Sequence, residues 1–240
     1  MKYNALLLLC GLLIFTGLHA QDLYLEAETE IKGSALMALA GKSSTKMYIK
    51  NDHTKSETRA LGSTIVEITQ KDTVCVYTDG LCGVFTREEL ENDGLGDEIT
   101  YKNVIVTHTD DTRKILGYNC KKTVVNYTVH RGVDLKCETV LWHTSEISPP
   151  DNSHLPQSQK QNDYLAALKS LKGVPLLTEN TMKLNGLTTI ARVTKISTAA
   201  LDDEVFERNP KGCKKPKNLS EYKKELKKRE ARSNSPYRGF

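Results

Sequence analysis

The sequence predicts a mainly β fold, one long antiparallel meander, and three observations carry that reading. Ten short runs rich in Val, Ile, Thr and Tyr recur between residues 23 and 197, broken by Asp-Gly, Asn-Asp and Gly turns, the pattern of strands joined by hairpins. A sheet of that many strands does not stay flat, so it must curve strongly or close. Helical periodicity is confined to a few short stretches, which leaves the helices the task of covering the sheet.

The first twenty residues stand apart. Lys2, the apolar run from Ala5 to Leu18 and the closing Leu18-His19-Ala20 follow the charged, apolar, small-residue order of a secretory signal peptide. A lipoprotein cut before Cys10 is disfavoured because Leu9, not a small residue, precedes it. The apolar run is shorter than the roughly 20 residues that span a bilayer, and no later stretch approaches that length, so no transmembrane segment is expected. The chain therefore divides into a signal peptide at 1–20, a single curved-sheet domain at 21–206 and a basic tail at 207–240, exported to the periplasm or secreted.

Candidate strands lie at 23–31, 46–51, 64–69, 74–78, 81–85, 103–108, 122–130, 134–143, 176–183 and 187–197. Two hairpins can be tested for register, because a one-residue slip turns every side chain to the other face. A three-residue loop at Arg131-Gly132-Val133 sets Val129 against Leu135, Tyr127 against Cys137 and Thr123 against Leu141, a mostly apolar face. It also puts Cys120 and Cys137 on opposite faces. Around Asp79-Gly80, a four-residue loop opposes Cys75 and Cys82 at disulfide distance, whereas a two-residue turn leaves them diagonal and too far apart. Five cysteines follow the signal peptide (six less Cys10). Export permits disulfides, and Cys75 with Cys82 is the intrachain pair that the sequence offers.

Thr86-Arg87-Glu88-Glu89 is a capping box that opens a short helix. Beyond Pro149-Pro150, residues Tyr164, Leu165, Leu168 and Leu171 fall on one helical face, with Gly173 as the stop and Pro175 just past it. From 21 to 206 the chain holds 21 Lys+Arg against 26 Asp+Glu (net −5), and from 207 to 240 it holds 12 against 4 (net +8). The basic residues of the tail are Lys214, Lys215, Lys217, Lys223, Lys224, Lys227, Lys228 and Arg229, among others. Asn218-x-x-Glu221 can cap a helix there, but Leu219, Tyr222 and Leu226 are its only apolar residues, so the tail reads as largely disordered with a transient short helix.

Three motifs in order, Ile115-Leu116-Gly117-Tyr118-Asn119-Cys120-Lys121-Lys122, Leu141-Trp142-His143-Thr144-Ser145-Glu146-Ile147 and Leu171-Lys172-Gly173-Val174-Pro175-Leu176, follow an earlier Lys46-Met47-Tyr48-Ile49-Lys50. Over roughly residues 23–206 they resemble an exported bacterial family, the domain of unknown function 4412, similar in fold to the periplasmic lipoprotein carriers LolA and LolB. The resemblance implies a strongly curved antiparallel half-barrel wrapped around one or two helices, with an apolar hollow between them. It brings no catalytic residues. Fold alone does not fix function.

The bland reading of the motif residues is structural: Gly117 allows a bend, Trp142 anchors the core, Gly173 ends a helix. The functional reading is that Tyr118, Tyr127 and Trp142 line the mouth of the hollow and contact a lipid or acyl chain. His108-Thr109-Asp110-Asp111 reads as a solvated turn rather than a metal site, and Asp202-Asp203-Glu204 likewise. No CxxC pairing, nucleophile elbow or phosphate-binding glycine loop is present, so no cofactor, no metal and no catalysis are expected. The basic tail suits an anionic envelope surface and has too few aromatics for nucleic acid. The sequence therefore leads to a non-enzymatic binding protein. The alternative is a structural or interaction protein of the cell envelope with a filled core.

Overall fold

The computed structural model describes residues 22–33, 42–78, 80–86, 89, 100–130, 132–148, 168, 171–207 and 218–233. The expected signal peptide, Lys214, Lys215 and Lys217, and most of the helix expected around Tyr164 lie outside the described residues. Strands β1 (Leu23–Lys32), β2 (Ser43–Lys50), β3 (His53–Ala60), β4 (Ser63–Gln70), β5 (Thr73–Thr78) and β6 (Leu81–Thr86) form one meander. A second contains β7 (Thr100–Ile115), β8 (Tyr118–His130), β9 (Asp134–Thr144), β10 (Val174–Met182) and β11 (Leu187–Ser197). A 3-10 turn (Asp203–Phe206) and helix α1 (Leu219–Ser233) follow.

All eleven strands join a single open antiparallel sheet in the order β6-β5-β4-β3-β2-β1-β11-β10-β9-β8-β7. Its two edges, β6 and β7, are consecutive in the chain. Laid flat at roughly 4.8 Å between strands, the sheet would put its edges about 48 Å apart. The connection at 87–99 could reach about that far only when fully extended, at roughly 3.3–3.6 Å per residue. It is not fully extended, because Glu89 is helical and folds back to Thr86: its carboxylate accepts from the Thr86 N–H at 2.7 Å, and its own N–H donates to the Thr86 hydroxyl at 3.1 Å. This is the expected capping box. The sheet is accordingly strongly curved, a mainly β half-barrel.

The β8–β9 hairpin has the three-residue loop: His130 pairs with Asp134, Tyr127 with Cys137 and Thr123 with Leu141. Cys120 and Cys137 are both buried free thiols. The β5–β6 hairpin takes the tighter option. Thr78 pairs with Leu81 and Tyr77 with Cys82, so Cys75 faces Val84 and lies only diagonal to Cys82. The proposed Cys75–Cys82 bridge is therefore corrected: Cys75 is a buried free thiol, and the disulfide that Cys82 makes is not with it.

Two further differences have physical causes. Strand β3, HTKSETRA, shows no apolar alternation and is not among the expected strands; it forms because β2 and β4 pair with it along its full length. Residues 108–112 are not a turn between strands but a bulge within the sixteen-residue β7, where the register against β8 shifts between His108 and Thr112.

Side chains alternate between two faces of the sheet. One face carries Leu25 and Ala27 of β1, Val193 of β11, Thr178 of β10, Leu141 of β9 and Val125 and Tyr127 of β8, all buried and connected through the strand registers. Leu168 and Leu171 pack on it against Val125, Tyr127 and Leu141. At the β6 edge of the same face, α1 sets Tyr222 against Phe85 and Leu81, flanked by Leu219 and Leu226. We call this the inner face.

The tail's helix is thus present and docked. Three apolar residues suffice because Gly83 leaves room: a Cβ there would sit 2.2 Å from the Phe85 ring and 3.0 Å from Tyr222.

Candidate functional site

Strand alternation decides where the three aromatic candidates go. Tyr118 and Tyr127 are nine residues apart on one strand, and Trp142 pairs with Lys122 while Tyr127 pairs with Cys137. Tyr118 and Trp142 therefore share the outer face, and Tyr127 alone belongs to the inner one. On the outer side the Arg113 guanidinium stacks on the Trp142 ring at 4.0 Å and the Lys122 ammonium lies 5.9 Å from it, a cation–π arrangement. Lys122 also pairs with Asp111 at 2.9 Å, which holds that carboxyl below its ordinary value, chiefly by this bond. Tyr24 and Tyr48 pair further along the same face at 4.9 Å, with Lys195 and Lys55 each 5.5 Å from a ring.

Tyr127 sits deep on the inner face. Its hydroxyl accepts from Asn180 Nδ2 at 2.7 Å and from Thr139 Oγ1 at 3.3 Å, and its ring lies 5.8 Å from that of Tyr101. Val104, Val106, Val129, Leu135 and Met182 pack around it, so the wall is apolar with one hydrogen-bonding point. Toward β1 and β2 the same face continues through Leu23, Leu25 and Ile49. Between this region and α1 it is lined by threonines, among them Thr45 and the buried Thr58, whose hydroxyls are 3.1 Å apart. The candidate binding surface is this inner face, and of the three aromatic residues singled out from the sequence only Tyr127 belongs to it.

A group that sequence reasoning did not single out lies beside it. His143, 8 % exposed, has Nδ1 2.9 Å from the Lys172 carbonyl and Nε2 3.0 Å from Thr123 Oγ1. Thr123 Oγ1 is in turn 3.0 Å from Nδ1 of His108, which is exposed on β7. The Trp142-His143-Thr144 motif could have drawn attention to His143, but its partners come from β7, β8 and the segment before β10. Gly173 brings that segment close to β9: its φ is +102°, and a Cβ on it would lie 1.8 Å from the Thr144 carbonyl oxygen.

Among the described residues no group of three or more His, Cys, Asp or Glu could hold a metal ion. No helix among them is long and apolar enough to cross a membrane. An open cleft of about 410 Å³ lies by the β3–β4 turn, lined in about equal measure by polar and apolar surface, with Glu28, Lys42, Arg59 and Leu61 among its residues.

No family model and no curated protein matches the chain. Solved structures resemble it at low identity. PNGF-II is 18% identical with a TM-score of 0.42 over 87% of this chain, which spans only 34% of that protein. An uncharacterized conserved protein from Thermus thermophilus is 9% identical with a TM-score of 0.49, covering 82% of this chain and 90% of its own. A putative outer membrane lipoprotein-sorting protein domain from Vibrio parahaemolyticus is 14% identical with a TM-score of 0.33, covering 78% and 89%. The resemblance to the domain of unknown function 4412 rests on the quoted motifs alone.

The basic candidates on α1 are spread around its free side. Tyr222 is buried, Lys224, Lys227 and Lys228 are exposed, and Lys223 and Arg229 flank the docked stripe half-buried. Lys228 pairs with Glu225 at 2.9 Å.

Proposed function

We propose that this chain is an exported, non-enzymatic binding protein that shelters a lipid or other apolar ligand on the inner face of its half-barrel. The observation that carries the reading is the apolar wall around Tyr127, covered by Leu168 and Leu171, on a sheet curved enough to enclose what lies against it. An acyl chain would lie along Val106, Val125 and Leu141, with the Tyr127 hydroxyl and its Asn180 and Thr139 partners offering the polar contact. Tyr118 and Trp142, on the other side of their strands from Tyr127, pack against the buried cluster that includes Cys120, Ile147 and Val174 and would not meet this ligand.

The docked α1 extends the reading. A helix fixed by its apolar stripe and exposing Lys224, Lys227 and Lys228 presents cations in one direction, which suits an anionic envelope surface at about 1 kcal/mol per basic residue near a charged membrane. Lys214, Lys215 and Lys217 precede it in the sequence and would add to that attraction.

A second reading has its own support. Val125 and Leu141 are 0 % and 1 % exposed, as in a filled core, which favours a structural or interaction protein of the envelope. Native mass spectrometry of gently purified mature protein, with solvent extraction, separates the two. Released lipid is the expected result, and a bare mass rejects the carrier in favour of the filled-core protein. Co-sedimentation with anionic and zwitterionic vesicles tests the helix separately: binding confined to anionic vesicles is expected to fall at least tenfold on replacing Lys224, Lys227 and Lys228 with Gln.

A further inference from the structure

Strand β3 is polar on both of its faces, which neither a filled core nor a purely apolar hollow requires. Its charged residues Lys55, Glu57 and Arg59 alternate with Thr54, Ser56 and Thr58. The registers set the second group on the inner face: Leu25 of β1 pairs with Met47, Met47 with Ser56, and Ser56 with Glu67 of β4. A single row across the sheet thus passes from two apolar side chains to a hydroxyl and a carboxylate. Because β3 is an interior strand, the partial exposure of Thr54, Ser56 and Glu67 is exposure on a face of the sheet. The inner side of β3 therefore borders space that water or a ligand can enter.

Charge is divided unevenly between the two faces. Strands β1–β6 carry ten Lys, Arg, Asp and Glu residues, four in β1, two in β2, three in β3 and one in β4. Nine of them lie on the outer face, and Glu67 alone lies on the inner one. No lysine, arginine or histidine of these strands reaches the inner side. A phosphate or carboxylate head set against β3 would exchange its water for hydroxyls and a like charge, with no cation of these strands to offset the loss. A head made of hydroxyls meets the opposite situation. Each of its hydroxyls both donates and accepts, as do those of Thr54 and Ser56, and a carboxylate offers about four acceptor sites to hydroxyl hydrogens.

Given the sheltered apolar tail proposed above, on which this depends, we propose that the other end of the ligand is an uncharged, hydroxyl-rich head, a sugar or polyol, held by Thr54, Ser56 and Glu67. The ligand is then a neutral glycolipid-like amphiphile and not an anionic lipid. Six strand spacings of roughly 4.8 Å separate β8 from β3 along the sheet, but Leu25 and Met47, packed in one cluster with Ile49, bring the apolar wall to within one strand of Ser56. One alkyl chain on that wall places its head on β3.

Three probes with the same dodecyl chain test this on the mature chain without ligand: dodecyl maltoside, dodecyl phosphate and dodecyltrimethylammonium, each titrated below its micelle-forming concentration and followed through backbone amide shifts. The maltoside is expected to shift Thr54, Ser56 and Glu67 and to bind there at least tenfold more tightly than the phosphate, while free maltose shifts none of them. Glu67→Lys should reverse the order of maltoside and phosphate. Should that variant fail to fold, Ser56→Ala serves instead and should weaken the maltoside at least threefold without changing the phosphate. Phosphate or ammonium binding as tightly as maltoside, with shifts at Leu25 and Leu141, leaves the sheltered tail in place and overturns the neutral head, as does an unchanged order in Glu67→Lys or an unchanged affinity in Ser56→Ala. An equal response to free maltose overturns the amphiphile in favour of a soluble sugar. Absence of shifts at Leu25, Val125 and Leu141 with every probe rejects the sheltered tail, and the head with it.

Discussion

Gly173 is where a single hydrogen atom decides the packing of the inner face. Replacing it with Ala would combine a φ of +102° with a Cβ 1.8 Å from the Thr144 carbonyl oxygen. A loss of about 1–3 kcal/mol is expected, read as a lowered urea midpoint; an unchanged midpoint would contradict the close approach. The sequence identified this glycine for a different reason, as a helix stop, since nothing local reveals which strand will run behind it. Cys75 and Cys82 show the same limit. Both alternatives for their hairpin were legible, and the choice between a two-residue and a four-residue loop came from pairing with β4 and β6, not from the turn residues. Tyr127 could be placed opposite Cys137 from sequence, but dividing it from Tyr118 and Trp142 needed only the alternation already in hand, carried through the same strand.

Helix α1 shows what an element gains from its place in the fold. Fifteen residues with so few apolar side chains would be marginal in isolation, so its helicity depends on docking Tyr222 against Phe85 over Gly83. Tyr222→Ala should therefore undock and melt it, lowering the far-UV helical signal and lowering stability by about 3 kcal/mol. Full helicity in that variant would mean that α1 is held by something else. From sequence the stripe at Leu219, Tyr222 and Leu226 looked too thin, because the cavity that receives it is built by a glycine far away in the chain. Strand β3 is the complementary case, a polar segment ordered by its neighbours. The long apolar strands, β1, β8, β9 and β11, were legible because each carries its own alternation.

At the scale of the whole molecule, the half-barrel was legible in the number of strands, and its curvature follows from how little chain connects β6 to β7. What the strand list could not give is the order in which the two meanders join. Within each, neighbours are linked by short turns except between β1 and β2 (33–42) and between β9 and β10 (145–173), whereas β1 meets β11 across nearly the full chain, pairing Leu25 with Ile196 and Ala27 with Val193. Closing so long a loop takes more entropy than forming a hairpin, so contacts across this seam should form late. Leu25→Ala and Val193→Ala are expected to speed unfolding while leaving the refolding rate nearly unchanged, φ-values near 0, and Leu141→Ala in the β8–β9 hairpin to slow refolding. High φ-values at Leu25 and Val193 would reverse that order. A chain of this topology that enters a compartment amino-terminus first holds β1 as a strand paired on one side only until residue 197 follows. During that interval its unsatisfied edge is the place where a holding chaperone, or an unwanted second strand, would find it.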